Sequence, residues 1–154
     1  MDLRVAPVGE GELEGILPLI AGYQRFYEAQ PDDERNRSFF RRFLSPSEEG
    51  LLLGAWADGV PVGFATLYWT HSSTRATDIA LLNDLYVSEE VRAAGVGMAL
   101  MEAAMAATRE RGLPVVEWYT HVDNRRAQRL YERIFGAERS AWFGYDVEVG
   151  PPSP

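Results

Sequence analysis

The sequence predicts an α+β domain, a mixed β-sheet with helices packed on its faces. Three observations predict it. Apolar residues recur at helical spacing from Leu13 to Tyr27. From Leu51 the pattern changes to strand-like runs joined by turn residues. Two more helical stripes, after Gly97 and after Asn124, are separated by a short run from Val115 that reads as a strand.

Leu3 to Val8 alternates weakly and reads as the first strand. Leu13, Ile16, Leu17, Ile20, Tyr23, Phe26 and Tyr27 form one stripe of a helix expected from Glu10 to Ala29. Pro18 predicts a kink or a short first turn there, and Pro31 stops the helix. A second helix is expected from Asp33 to Leu44, with Phe39, Phe40, Phe43 and Leu44 inward. Leu51–Ala57, the turn Asp58-Gly59 and Val60–His71 read as a hairpin, and Thr77–Val87 adds a third strand to an antiparallel meander. Gly97–Arg111 is a helix ended by Gly112 and Pro114. Val115–His121 is a strand. Asn124–Phe135 is a helix with Ala127, Leu130, Tyr131 and Ile134 inward, and the aromatic run Ser140–Val149 is a last strand. The order is β-α-α-β-β-β-α-β-α-β. Residues 1–150 are expected to form a single domain, and 151–154 a disordered tail.

The 154 residues suit one compact domain, and the 46% hydrophobic and 25% charged content is that of an ordinary globular chain. The absence of cysteine excludes disulfides, cysteine nucleophiles and thiolate metal sites. His71 and His121 are the only histidines, so no metal is expected. No apolar run approaches the roughly 20 residues of a membrane span, and the N-terminus lacks a signal-peptide core, so no membrane partner and a cytoplasmic location are expected. The net charge of −8 makes nucleic acid a poor partner. Eight acids in residues 1–34 face only Arg4 and Arg25. Two readings of that cluster stand: a field that attracts a cationic ligand, or a solvated helix face.

The chemistry-bearing stretch runs from Asn83 to Ala99. A strand ends, a short loop follows, and Gly95 and Gly97 open a helix. The unpaired N–H groups and partial positive charge of a helix start suit phosphate oxygens. Glycine lets backbone approach an anion, and Arg92 can add a forked contact. The spacing Arg-x-x-Gly-x-Gly therefore reads as a pyrophosphate cradle, although an ordinary glycine-rich helix entry would look the same. A dinucleotide fingerprint fits worse: its third glycine position holds Leu100, and Ser88 to Ala94 separate the strand from the first glycine.

Asp84-Leu85-Tyr86-Val87, then Arg92-x-x-Gly95-x-Gly97, then Asn124-x-x-Ala127-x-x-Leu130-Tyr131-x-x-x-x-Gly136 occur in this order. With this combination the sequence resembles the GCN5-related N-acetyltransferase (GNAT) superfamily over about residues 78–137. Glu117-Trp118-Tyr119-Thr120 with Asn124 and Tyr131 is similar to its histone/polyamine (spermidine/spermine-like) branch. The resemblance implies the GNAT acyl-CoA N-acyltransferase fold, a largely antiparallel sheet splayed between the fourth and fifth strands. It implies acetyl-CoA, with pantetheine along Leu85, Tyr86 and Val87, and pyrophosphate on Arg92, Ala93, Ala94, Gly95, Val96, Gly97 and Met98. Asn124, Ala127 and Tyr131 would flank the thiol end, and Tyr131 would be the general acid that protonates the leaving thiolate.

The base is less defined. Relatives that acetylate polyamines often carry a glutamate where this chain has Asn83, which cannot take a proton. By strand alternation Asp84 is expected on the opposite side from Asn83. Asp84 is one catalytic candidate, and Glu117 acting through water is another, with Tyr119 and His121 on the same face as Glu117. The acceptor site implied by the family is lined by the first two helices and the facing loops, here Tyr23 to Phe43 with Tyr27, Glu28, Asp32, Asp33, Glu34, Phe39 and Phe40, and Asn83 is a further binding candidate. Acids and aromatics suit a small cationic amine or polyamine. A protein or peptide amine and a catalytically silent CoA-binding module are the alternatives. The aromatic last strand also fits a homodimer surface, though a core strand would look the same.

Overall fold

The computed structural model describes residues 1–92 and 94–152; Ala93, expected in the pyrophosphate cradle, and Ser153 and Pro154 of the expected tail lie outside the described residues. The chain divides into two compact units, Met1–Tyr119 and Thr120–Pro154.

The first unit is built on five strands: β1 (Leu3–Pro7), β2 (Gly50–Ala57), β3 (Val60–Ser72), β4 (Thr77–Val87) and β5 (Val116–Trp118), in that spatial order. The first four pair antiparallel, and β5 runs parallel to β4. The β2–β3 turn has φ of 49° at Asp58 and 82° at Gly59. Positive φ at both central residues is what a two-residue hairpin twisted like its strands requires.

Helix α1 (Leu13–Phe26) follows a 3₁₀ turn at Glu10–Glu12. It passes through Pro18 because that residue lies on the exposed face. Helix α2 (Asp33–Phe40) starts at Asp32, whose carboxylate accepts from the Arg35 N–H at 2.8 Å. It is shorter than expected, because residues 41–43 tighten into a 3₁₀ turn. Leu13, Ile16, Leu17 and Ile20 of α1 pack with Phe40, Phe43, Leu52, Trp56 and Phe64 into one core. Helix α3 (Val96–Glu110) buries Val96, Leu100, Met101 and Ala104. A Cβ on Gly63 would stand 3.2 Å from Leu100 and 3.4 Å from Val96, so α3 covers the face of β3 opposite Phe64.

In the second unit α4 (Arg125–Arg133) is capped by Asn124, whose side-chain oxygen accepts from the Ala127 N–H at 3.2 Å. Gly136, at φ 63°, ends it, and the Ala137 N–H bonds the Tyr131 carbonyl at 3.0 Å. The expected inward stripe is only half-buried at Ala127, Leu130 and Tyr131, and Ile134 is exposed. The expected strand at 140–149 is not formed: these residues carry no ladder, and Trp142, Phe143 and Tyr145 are more than four-fifths exposed. Ala141, Phe143, Tyr145, Val147 and Val149 alternate with Trp142, Gly144, Asp146 and Glu148, a pattern that suits a strand, but a strand forms only where a neighbouring edge supplies a ladder, and none does so among the described residues.

Candidate active site

The site begins where β4 parts from β5. Their ladder joins Ala80 to Val116, Leu81 to Glu117 and Leu82 to Trp118, and goes no further. From Asn83 to Val87 that side of β4 has no strand partner among the described residues. The splay implied between the fourth and fifth strands is present.

A bulge sits at the same point. Thr66 of β3 faces Asp84, but the next residue, Leu67, faces Leu82, leaving Asn83 as the extra residue of β4. The expectation that Asp84 lies on the opposite side from Asn83 is therefore corrected, since a bulge breaks simple alternation. Both residues line one cleft of about 310 Å³, together with Tyr23 and Gln24 of α1, Asn36 and Phe40 of α2, and Tyr68 of β3.

Asp84 is buried, at 5% exposure. Burial pushes its carboxyl above the ordinary aspartate range, and hydrogen bonds from Tyr23 and Asn83 work against that rise. The Asn83 amide donates to Asp84 Oδ1 at 3.1 Å and to the Tyr68 hydroxyl at 3.3 Å. Burial, then the Asp84 charge, pushes the Tyr68 phenol up to about 12, and the same two causes raise Tyr23 further. Both phenols therefore stay neutral near pH 7. At the back of the cleft Gln24 and Asn36 exchange two amide hydrogen bonds, of 2.8 and 2.9 Å. Arg35 stands exposed at the cleft, its guanidinium donating to the Gln30 carbonyl at 2.6 Å.

On the far side of the splayed edge the chain turns into α3. The Ser88 N–H bonds the Val62 carbonyl at 2.9 Å, which fixes where β4 ends. Arg92 Nε donates to the Val87 carbonyl at 3.2 Å, and its guanidinium lies 3.6 Å from Glu89. Gly95 caps α3 at φ 83°, a value that favours glycine, and a Cβ added there or at Gly97 would meet nothing closer than 3.9 Å. The first N–H groups of α3, at Val96, Gly97 and Met98, lie in the turn that has no intrahelical acceptor.

Of the expected acceptor residues, Phe39, Phe40 and Asn83 line the cleft, and Asp32 and Glu34 do not. Tyr27 closes α1 and is 62% exposed, with its ring 5.0 Å from Tyr23; Glu28, at φ 61°, and Asp33, the first residue of α2, are also exposed. Glu117 lies half-buried beside Leu81. Tyr119 is largely exposed; His121, in the second unit, accepts from the Asp123 N–H at 3.2 Å. Asn124, Ala127 and Tyr131 lie on or at the cap of α4. The acidic cluster of residues 1–34 is partly neutralised by pairs formed with arginines: Glu12 with Arg4, Glu10 with Arg41 and Glu14 with Arg37. Tyr23, Gln24 and Asn36 fall inside the expected span 23–43, whereas Tyr68 of β3 was missed as a cleft residue. A faint signal was available for Tyr68, which follows Phe64 and Thr66 at the period-two spacing of one strand face.

Comparison with known proteins adds four findings. The model of the Acetyltransferase (GNAT) family matches residues 16–137. The uncharacterized N-acetyltransferase YhfO of Bacillus subtilis is 31% identical over 149 residues, covering 97% of this chain and 98% of that one. The D-amino-acid N-acetyltransferase HPA3 of Saccharomyces cerevisiae is 36% identical over 115 residues, 73% of this chain and 71% of the yeast protein. A crystal structure of a probable acetyltransferase superposes with a TM-score of 0.81 at 30% identity, covering 97% of this chain and 99% of the other. Neither named relative is described as acting on a polyamine or a histone, so the narrower branch is not established by these matches.

Proposed function

We propose that this chain, which belongs to the acetyltransferase (GNAT) family and is an acetyl-CoA-dependent N-acetyltransferase, acetylates a small cationic amine by direct attack in a ternary complex. One observation carries the choice of acceptor. The cleft beside the splayed β4 edge holds a buried carboxylate, Asp84, walled by the rings of Tyr23 and Tyr68. A carboxylate among aromatic faces attracts an ammonium by charge and by cation–π contact.

Acetyl-CoA supplies an acetyl group activated as a thioester. The residues present fit it. The bare backbone of Leu85, Tyr86 and Val87 offers the N–H and C=O groups of a strand edge to the amides of pantetheine. Val96, Gly97 and Met98 offer helix-start N–H groups to its phosphates. Arg92 lies beside them.

An alkyl amine has a pKa of about 10 and arrives as ammonium. In this reading Asp84 holds that ammonium and takes its proton. Burial raises the proton affinity of Asp84, which narrows the mismatch with the amine. Asn83 positions the carboxylate and cannot itself be a base. Tyr23 and Tyr68 are neutral hydrogen-bond donors that exclude water. Glu117, acting through water, is the second candidate base. The proton for the departing thiolate is assigned to Tyr131, on its motif position and the chemistry of a phenol.

The test is thiol release from saturating acetyl-CoA with a panel of small amines and of peptides. Release with small amines, lost in Asp84→Asn, is the expected result. Turnover of peptides alone would overturn this choice of acceptor.

A further inference from the structure

We infer that the acceptor is a monoamine bearing an aromatic or bulky apolar tail, which lies in a second groove adjoining the Asp84 cleft; the inference rests on the amine reading above. The groove measures about 390 Å³, and its aromatic wall is Phe39, Phe43 and Tyr68; Trp69 borders it as the next residue of β3, with its ring under Arg111. Phe39 and Tyr68 line both spaces, so an acceptor with its nitrogen at Asp84 has these rings as the next surface it meets.

The groove is apolar, and its charges are already matched. The Phe43 ring lies 5.3 Å from Phe39 and 5.2 Å from Tyr68, so the wall is a continuous aromatic surface. At the rim stand two carboxylates and two guanidiniums. Arg42 bonds Glu49 at 2.5 Å, and Arg111 bonds Glu48 at 2.9 Å. The same arginines also take up ring faces: Arg42 lies 5.3 Å from the centre of Phe39 and 5.5 Å from that of Phe43, and Arg111 lies 4.8 Å from Trp69. A second ammonium, as in a diamine, would meet two guanidiniums and no carboxylate that lacks a partner in this groove. An aryl or branched alkyl group would lose water against the three rings of Phe39, Phe43 and Tyr68. The Asp84 cleft thus selects the charged head and the groove selects the tail.

The experiment compares kcat/KM for 2-phenylethylamine, ethylamine and putrescine, all with saturating acetyl-CoA and thiol release as the readout. Phenylethylamine should exceed each of the others by at least about tenfold, the factor expected for sheltering a phenyl group. In Phe39→Leu the ratio of phenylethylamine to ethylamine should fall by about fivefold or more. The wild-type ratios decide the matter even if that variant does not fold. Turnover of ethylamine and putrescine without the aryl preference, or an unchanged ratio in a folded Phe39→Leu protein, overturns the inference and leaves the amine reading standing. Release with no amine at all removes both.

Discussion

Asn83 and Asp84 adjoin in sequence and yet line the same cleft, the Asn83 amide donating to Asp84 Oδ1 at 3.1 Å. The extra residue at the bulge opposite Thr66 and Leu67 makes this arrangement. It puts a fixed donor on a carboxylate that burial has made a better proton acceptor.

Activity should follow the protonation of Asp84. As pH falls through its raised pKa the carboxylate is neutralised and kcat/KM for the amine declines, at a pH above that of an ordinary aspartate, about 3.9. Asp84→Asn should lower kcat/KM by roughly 10²- to 10⁴-fold and remove this acidic limb. A pH–rate profile of the variant that keeps the same limb would assign it to another group.

Stability should move the other way. The raised pKa means that the folded chain binds the Asp84 proton more tightly than the unfolded chain does. This group therefore stabilises the fold fully below the unfolded pKa, and that contribution is lost as pH rises through the folded pKa. At pH 7 the buried charge is a cost, so Asp84→Asn should raise Tm by about 2–4 °C. Calorimetry should find the gain at neutral pH and see it vanish in acid.

The Gln24–Asn36 pair ties α1 to α2 behind the cleft. Asn36→Leu leaves the Gln24 amide without its partner and should cost about 1–3 kcal/mol. Adding Gln24→Leu should return part of that loss, because both ends of the pair are then apolar. Urea titrations of the two single variants and the double variant measure the coupling, and simple additivity would show that the pair does not act as a unit.

Tyr131→Phe removes a single hydroxyl. Turnover should fall by about 10²-fold or more, while acetyl-CoA affinity measured by calorimetry stays within about twofold. Full turnover in this variant would transfer the acid role to another residue or to water.

Regular patterns made much of the fold legible. The stripe Val96, Leu100 and Ala104 gave α3 to within a residue at each end, and Asp58-Gly59 gave the hairpin. Pro18 was a weaker guide, because the cost of a helical proline depends on which face it occupies. The run Ser140–Val149 has strand composition but no ladder, and composition cannot supply a partner. The loop of the candidate site was visible as Arg92, Gly95 and Gly97. The helical wall of the acceptor cleft was legible as residues 23–43, but its strand side was not, because it depends on a one-residue bulge that places Asp84 among Tyr23 and Tyr68, residues from three separate elements. The acids of residues 1–34 drew attention to Glu28 and Asp33, whereas the buried carboxylate lies fifty residues further along.

The short β4–β5 ladder has a further consequence for how copies of this protein behave toward one another. Any bare run of backbone amides is an invitation to an extended stranger, and long ones seed fibrous association. Here the run extends only from Asn83 to Val87 before the Ser88 amide ties the chain to Val62. That length can seat one slender guest, yet it is too brief to template the stacking of molecule upon molecule.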